Sequence, residues 1–184
     1  MAASLELVAS RGLAAFSLRK VAGRVGVSPS AVYRHFRDKE DLLTAIVEEG
    51  VGHIVSLQAA YLAKAGTDPI RRLEAMGLAQ LRFACLYPTH FRLLHMPEYS
   101  RPDRSEIIAQ EMAASEARIA EQLSALRAAG VEDTETLQQA AYALTYGLCR
   151  MHVEGYPSVA GSADALEAQA RAAYALLLRG VQVR

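Results

Sequence analysis

The chain has no tryptophan and only two cysteines among its 184 residues. Cys85 and Cys149 match no metal-ligand spacing and are too few to staple a secreted scaffold, which points to a reducing compartment. No apolar run approaches the roughly 18 residues of a membrane span. The N-terminus also lacks a basic stretch followed by an apolar one, so nothing reads as an export signal and a cytoplasmic location is expected. The Glu-x-x-His signature of a di-iron helical bundle is missing, and His90 and His95, five residues apart, do not share a helical face. Neither a catalytic residue nor a metal or cofactor site is therefore expected. With 52% hydrophobic residues, abundant alanine and few β-branched runs, the composition predicts an all-α chain long enough to bury a sizeable core.

One further absence is local. From Leu7 to Arg37 there is no Asp or Glu, yet there are six cations: Arg11, Arg19, Lys20, Arg24, Arg34 and Arg37. The whole chain carries 20 basic and 20 acidic residues, so the remainder holds 14 against 20 and the net charge of zero conceals a segment at +6. Such a field is the footprint of phosphate contact, although a solvated basic corner would look the same.

Within that segment the pattern predicts two short helices joined by a tight turn. Ser17 can cap a helix over about Leu18 to Val25, with Leu18, Val21, Ala22 and Val25 on one face. Gly26 permits the positive φ of a sharp turn, and Val27 can plug the angle between the helices. Ser28 caps the second helix and Pro29 suits its first position. That helix is expected to reach about Phe36, burying Ala31, Val32 and Phe36 and leaving Ser30, Tyr33, Arg34 and His35 outside. The unit is a helix-turn-helix.

The run S-L-R-x-V-A-x-x-x-G-V-S-x-x-x-V-Y-R-H-F-x-D-K-E-x-L-L, from Ser17 to Leu43, resembles the DNA-binding domain of the tetracycline-repressor (TetR) family of bacterial regulators. The similarity covers residues 5 to about 47 and is most specific from Val32 to Leu42. It implies that the helix after the turn enters the major groove, with Ser28, Pro29 and Ser30 near base edges and backbone and Tyr33, Arg34 and His35 beside them. Tyr33 could donate its hydroxyl to a phosphate while its ring meets a thymine methyl, and His35 could donate a ring N–H. Lys39, in the first turn of the next helix, would add charge where amide hydrogens and the dipole already favour an anion. Ser17 and Arg19 are further backbone-contact candidates. The resemblance also implies a basic arm upstream of Ala2, whose absence would leave fewer DNA contacts.

The rest of the chain divides by its stops. Residues 2 to 11 form a first helix with Leu5, Val8 and Ala9 inward, ended by Gly12. A long helix from Asp38 to about Ala65 carries Leu43, Val47, Gly50, Ile54, Leu57 and Tyr61 on one stripe; Gly50 and Gly52 mark close packing or a bend, and close packing is favoured. Asp68 and Pro69 open a helix to Tyr87, Thr89 to Met96 form a short one, and Arg104 to Ala129 a long one. Two final helices, about Asp133 to Glu154 and Ser162 to Val181, each have two apolar sides. One side of each needs a partner, and Leu137, Leu144, Leu148, Met151, Leu166, Ala170, Ala173 and Leu177 are assigned to a two-fold homodimer face.

Met, His and aromatic residues gather between 76 and 112, and a mostly apolar effector would find there Met76, Gln80, Phe83, Tyr87, Phe91, Leu94, His95 and Met112. Tyr87-Pro88-x-x-Phe91 with Ala141 to Leu148 resembles the WHG-type regulatory domain of one branch of these regulators, which adds Tyr142 and Tyr146; they stand where that branch has Trp and His. The expectation is an N-terminal helix-turn-helix domain, 1–47, followed by an antiparallel helical effector-binding and dimerisation domain, 48–184. Its partners are a palindromic DNA operator, a small molecule and a second copy, with no membrane. The function expected is a ligand-released repressor; an effector-independent or activating DNA-binding protein is the alternative.

Overall fold

Several helix starts among the described residues sit where the sequence supplies a side-chain cap, although the first helix begins after Met1 without one. The computed structural model describes residues 1–159 and 161–180; Val181, which the sequence reading placed on the last helix, lies outside them. The secondary structure of the described residues comprises nine α-helices and three 3-10 turns: α1 Ala2–Arg11, α2 Leu18–Val25, α3 Pro29–Tyr33, α4 Lys39–Ala65, α5 Pro69–Leu86, α6 Pro88–Leu94, α7 Glu106–Ala128, α8 Thr134–Val153 and α9 Ala163–Arg179. Ser17, Ser28, Asp68, Asp133 and Ser162 each accept an amide hydrogen bond from the first turn they precede, and each such bond contributes about 1 kcal/mol.

Two compact units share the chain. The first takes Met1–Val51 and Thr89–Gln110; the second takes Gly52–Pro88 and the residues from Glu111 onward. Residues 89–110 were grouped with the C-terminal half by their sequence, yet they pack in the unit that contains the helix-turn-helix.

In the first unit, Val8, Phe16, Leu18, Val21, Ala22 and Val32 close on α4, whose Leu42, Leu43, Ile46 and Val47 are at most 1% exposed. Leu93 at 0% and Ile108 at 2% complete this core. Polar ties accompany the apolar ones, with Arg104 Nη1 2.7 Å from Glu40 Oε2 and Ser105 Oγ donating to Glu48 Oε1 at 2.5 Å. Gly50 is a contact glycine: a Cβ there would lie 3.1 Å from the Cβ of buried His90. Nothing comes within 4 Å of a Cβ on Gly52, so only the first of the pair is required by packing.

In the second unit α5, α8 and α9 meet along one line. Leu73, Leu126, Val131, Leu137, Ala141 and Tyr174 form its core, with Leu144, Leu177 and Leu178 against it. The inward stripe of α8 is Leu137, Ala141, Thr145, Cys149 and Val153, and that of α9 is Leu166, Ala170 and Tyr174. Leu137, Leu166 and Ala170, at 6, 2 and 3% exposure, are therefore interior and cannot belong to a self-association face. Each helix offered two apolar stripes, and a single sequence does not say which one the monomer uses.

Gly77 on α5 makes the meeting possible. The Tyr174 hydroxyl is 2.7 Å from Thr145 Oγ1 and donates to the Ala141 carbonyl at 3.3 Å. A Cβ on residue 77 would stand 2.1 Å from that hydroxyl oxygen and 2.7 Å from Thr145 Oγ1. Replacing an exposed mid-helix glycine by alanine normally stabilises by about 0.5–1 kcal/mol, whereas here overpacking opposes it by about 1–3 kcal/mol. Gly77→Ala is therefore expected to lower stability in chemical denaturation. Its cost should shrink in a Tyr174→Phe background, where the closest clashing atom is gone.

Candidate nucleic-acid interface

The reading element is built from a cap, a turn and a second cap. Gly26 adopts φ 73° and ψ 27°, and its amide and that of Val27 both donate to the Ala22 carbonyl, which ends α2. Ser28 Oγ then accepts from Ala31 N at 3.3 Å and lies 2.9 Å from Ser30 Oγ. The helix that follows is shorter than its sequence suggested. It ends at Tyr33, after which the His35 amide bonds to Val32 O and the Phe36 amide to the same carbonyl. Arg34 and His35 thus sit on a tightening turn, and Phe36 swings back against the core.

Every residue from Gly23 to Ser30 is exposed, as are Arg19, Tyr33, Arg34 and His35; Ser17 and Lys39 are half-buried. Val25 at 51% and Val27 at 44% are exposed as well, against the expectation that one lines the core and the other plugs the turn. Val25 is the last residue of α2, where the buried face of Leu18, Val21 and Ala22 has ended, and Val27 follows the left-handed Gly26.

Not all of the six cations are equally free. Glu6, one residue before the acid-free segment, accepts from Arg24 Nη2 at 2.8 Å and Nε at 3.3 Å. Asp41 accepts from the Arg37 amide at 3.0 Å and its guanidinium at 3.2 Å, and these two bonds hold its carboxyl below the usual carboxylate range. Lys20 Nζ donates to the Ala15 carbonyl at 2.6 Å. Arg11, Arg19 and Arg34 make no ion pair among the described residues. A shallow concavity of about 510 Å³ between α1 and α2 gathers Glu6, Arg11, Lys20 and Arg24. Glu6 escaped the sequence reading because it is distant from Arg24 along the chain, and only the packing of α1 on α2 joins them.

Lys39 has a structural role besides any ionic one. Its Nζ donates to the Leu13 carbonyl at 2.6 Å, tying the start of α4 to the turn after α1.

The residues assigned to an effector divide between the units. In the first, Phe91 is fully buried, its ring centroid is 4.3 Å from that of His95, and His95 Nδ1 bonds to the Phe91 carbonyl at 2.8 Å; Leu94 packs at the edge of the core. In the second, buried Phe83 lies 5.9 Å from Tyr87, which stacks on His53 at 4.0 Å. Met76 and Gln80 are half-buried on the same helix. Met112 at 43% and Tyr142 at 60% are exposed, so neither lines an enclosed pocket. Tyr142 instead stacks on half-buried Tyr146 at 5.9 Å along α8. Of the proposed self-association residues, Leu144, Leu148, Met151, Ala173 and Leu177 remain half-buried.

Residues 1–46 match the family of bacterial regulatory proteins of the tetR type. A regulatory protein of the tetR family from Rhodococcus RHA1 is 26% identical, with a TM-score of 0.75 over 100% of this chain and 95% of that one. Residues 1–46 thus carry the tetR-type regulatory-protein domain, and the whole chain shares the fold of a TetR-family regulator. Over 71 residues it is 37% identical to the transcriptional regulator AcrR of Shigella flexneri, a match that spans 39% of this chain and only 33% of that protein. A transcriptional regulator from Saccharomonospora viridis, solved in complex with choline, shares the fold at a TM-score of 0.73 and 21% identity, over 100% of this chain and 95% of that one. The family consists of transcriptional regulators rather than enzymes, and its helix-turn-helix binds DNA. Among the described residues no helix is long and apolar enough to cross a membrane.

Lys39→Met is expected to lower stability by about 1 kcal/mol, the usual worth of one hydrogen bond, even without DNA. Lys39→Arg, which keeps a donor, should recover part of it; both are read from denaturant midpoints.

Proposed function

We propose that this regulator is a ligand-released repressor that binds a palindromic operator as a homodimer in the cytoplasm. The observation that carries the reading is the acid-free tip from Gly23 to His35, exposed except at Ala31 and Val32, on which Arg34 has no ion-pair partner among the described residues. A cation free of carboxylates releases counterions when it meets phosphate, which yields affinity that falls with salt. Ser28, Pro29 and Ser30 reach base edges at the start of α3, Tyr33 and His35 flank them on the backbone, and Ser17, Arg19 and Lys39 hold the duplex on either side.

Two copies supply two recognition helices, and a palindrome with half-sites about 34–36 Å apart accepts them. The exposed faces of α8 and α9 support pairing. Tyr142 at 60% and Leu176 at 65% exposure are large apolar groups in water, and Leu148, Met151 and Ala173 lie half-buried beside them in sequence. A small, mostly apolar effector then acts by preferring an arrangement with the wrong half-site spacing, and DNA weakens effector binding by the same factor. Phe83 and Tyr87, at the end of α5, suit such a molecule, and the choline complex of the Saccharomonospora protein is a precedent for a bound small molecule in this fold.

Fluorescence polarisation on the DNA upstream of its own gene tests the reading. Binding should be salt-sensitive and exceed that to random duplex, Arg34→Ala should lower the salt slope by about one, and Leu176→Glu should give monomers in sedimentation with weakened operator binding. Equal affinity for operator and random duplex would refute it.

A further inference from the structure

We propose that Glu49 and His53 of α4, together with His90 of α6, form a binding site for one divalent transition-metal ion, with Zn²⁺ the best match. The carboxylate oxygen and the two ring nitrogens that these residues offer all lie within 4.8 Å of one another. Nothing in the proposed repressor mechanism uses them.

Helical spacing supplies two of the ligands. Glu49 and His53 are four residues apart on one continuous helix, Lys39–Ala65, so their side chains share a face one turn apart. His90, in the first turn of α6, supplies the third. Gly50 lets it approach, because a Cβ on residue 50 would stand 3.1 Å from that of His90. His90 Nε2 then lies 3.1 Å from Glu49 Oε2, and its side chain is 5% exposed against 38% for Glu49. His53 is half-buried and its ring lies flat on that of Tyr87, the planes 4° from parallel. Stacking fixes the plane of the imidazole and leaves both nitrogens at its edge. The spacing of His90 and His95 gives no hint of this set, since its members come from two helices.

The donor set selects the ion. Two imidazoles and a carboxylate suit zinc and its neighbours, whereas calcium and magnesium favour oxygen ligands throughout. Around a tetrahedral zinc with bonds of about 2.0–2.1 Å, ligand atoms stand about 3.4 Å apart. The Glu49–His90 pair is already near that separation, and the other pairs need to close by no more than about 1.4 Å. Neither Glu49 nor His53 is sealed from solvent, so both can make that movement, and exposed Glu49 gives the ion a way in. Three protein ligands leave a fourth position for water. Before the ion arrives, His90 Nε2–H donates to the Glu49 carboxylate; the ion takes the place of that proton, which leaves to solvent.

Calorimetric titration of the intact, EDTA-treated and dialysed protein with zinc chloride tests the site, with magnesium chloride titrated separately. Saturable binding of one zinc per chain is expected, and magnesium should bind far more weakly. Glu49→Gln and His53→Ala should each weaken zinc binding about tenfold or more, because even outer-shell losses cost that much. Neither side chain is in the core, so circular dichroism should show both variants folded. No saturable zinc binding overturns the proposal, as does magnesium binding as tight as that of zinc. A loss of less than tenfold in either variant also overturns it; Glu49 and His90 would then be a hydrogen-bonded pair alone, and the zinc would belong to other side chains.

Discussion

A five-residue helix does not hold its own geometry in water, because nucleation costs more than so few hydrogen bonds return. The recognition helix α3, Pro29–Tyr33, is that short. What holds it is burial against α4, where Leu42, Leu43, Ile46 and Val47 are sealed from solvent, and the cap and turn residues only refine its direction. The same core also encloses Leu93 and Ile108, from the stretch that follows α5. A segment remote in sequence is thus part of the foundation of the reading element. Any change that moves residues 89–110 must disturb the packing under α3.

Electrostatics follow the same division of labour. Glu6 and Asp41 neutralise Arg24 and Arg37 at the margins of the basic segment, where exposed pairs add little stability but fix side-chain direction. Lys39 is tethered to the Leu13 carbonyl. Arg34 has no ion-pair partner among the described residues and stands on the exposed turn after α3. In the second unit a glycine does what charge cannot: Gly77 admits the Tyr174 hydroxyl to a buried site where Thr145 and the Ala141 carbonyl satisfy it.

Much of this was legible from local chemistry. The caps at Ser17, Ser28 and Asp68, the left-handed Gly26, the span of α4 and the close packing at Gly50 all follow from rules that act within a few residues. What escaped depends on tertiary choice. Leu137, Leu166 and Ala170 read as apolar and periodic, as do their neighbours, and nothing in one sequence tells an inward stripe from an outward one. Met112 reads as a pocket residue by type and Tyr142 by the resemblance to the WHG-type domain, and both are exposed by orientation. Val25 reads as core by its helical spacing and Val27 as a plug between the two helices, yet both stand exposed at the end of α2 and just after Gly26. Glu6 and residues 89–110 join the first unit through contacts across long stretches of chain, for which spacing gives no signal.

The central claim is that the reading element shares one cooperative core with residues 89–110. Native-state hydrogen exchange on a Leu93→Ala variant tests it most directly, since a cavity there should destabilise by about 2–5 kcal/mol and exchange resolves the loss by segment. The account predicts faster exchange across Leu18 to Val47, with the amides of α8 and α9 unchanged. Protection in Leu18 to Val47 equal to that of the parent protein, or a loss spread evenly over both units, would contradict it.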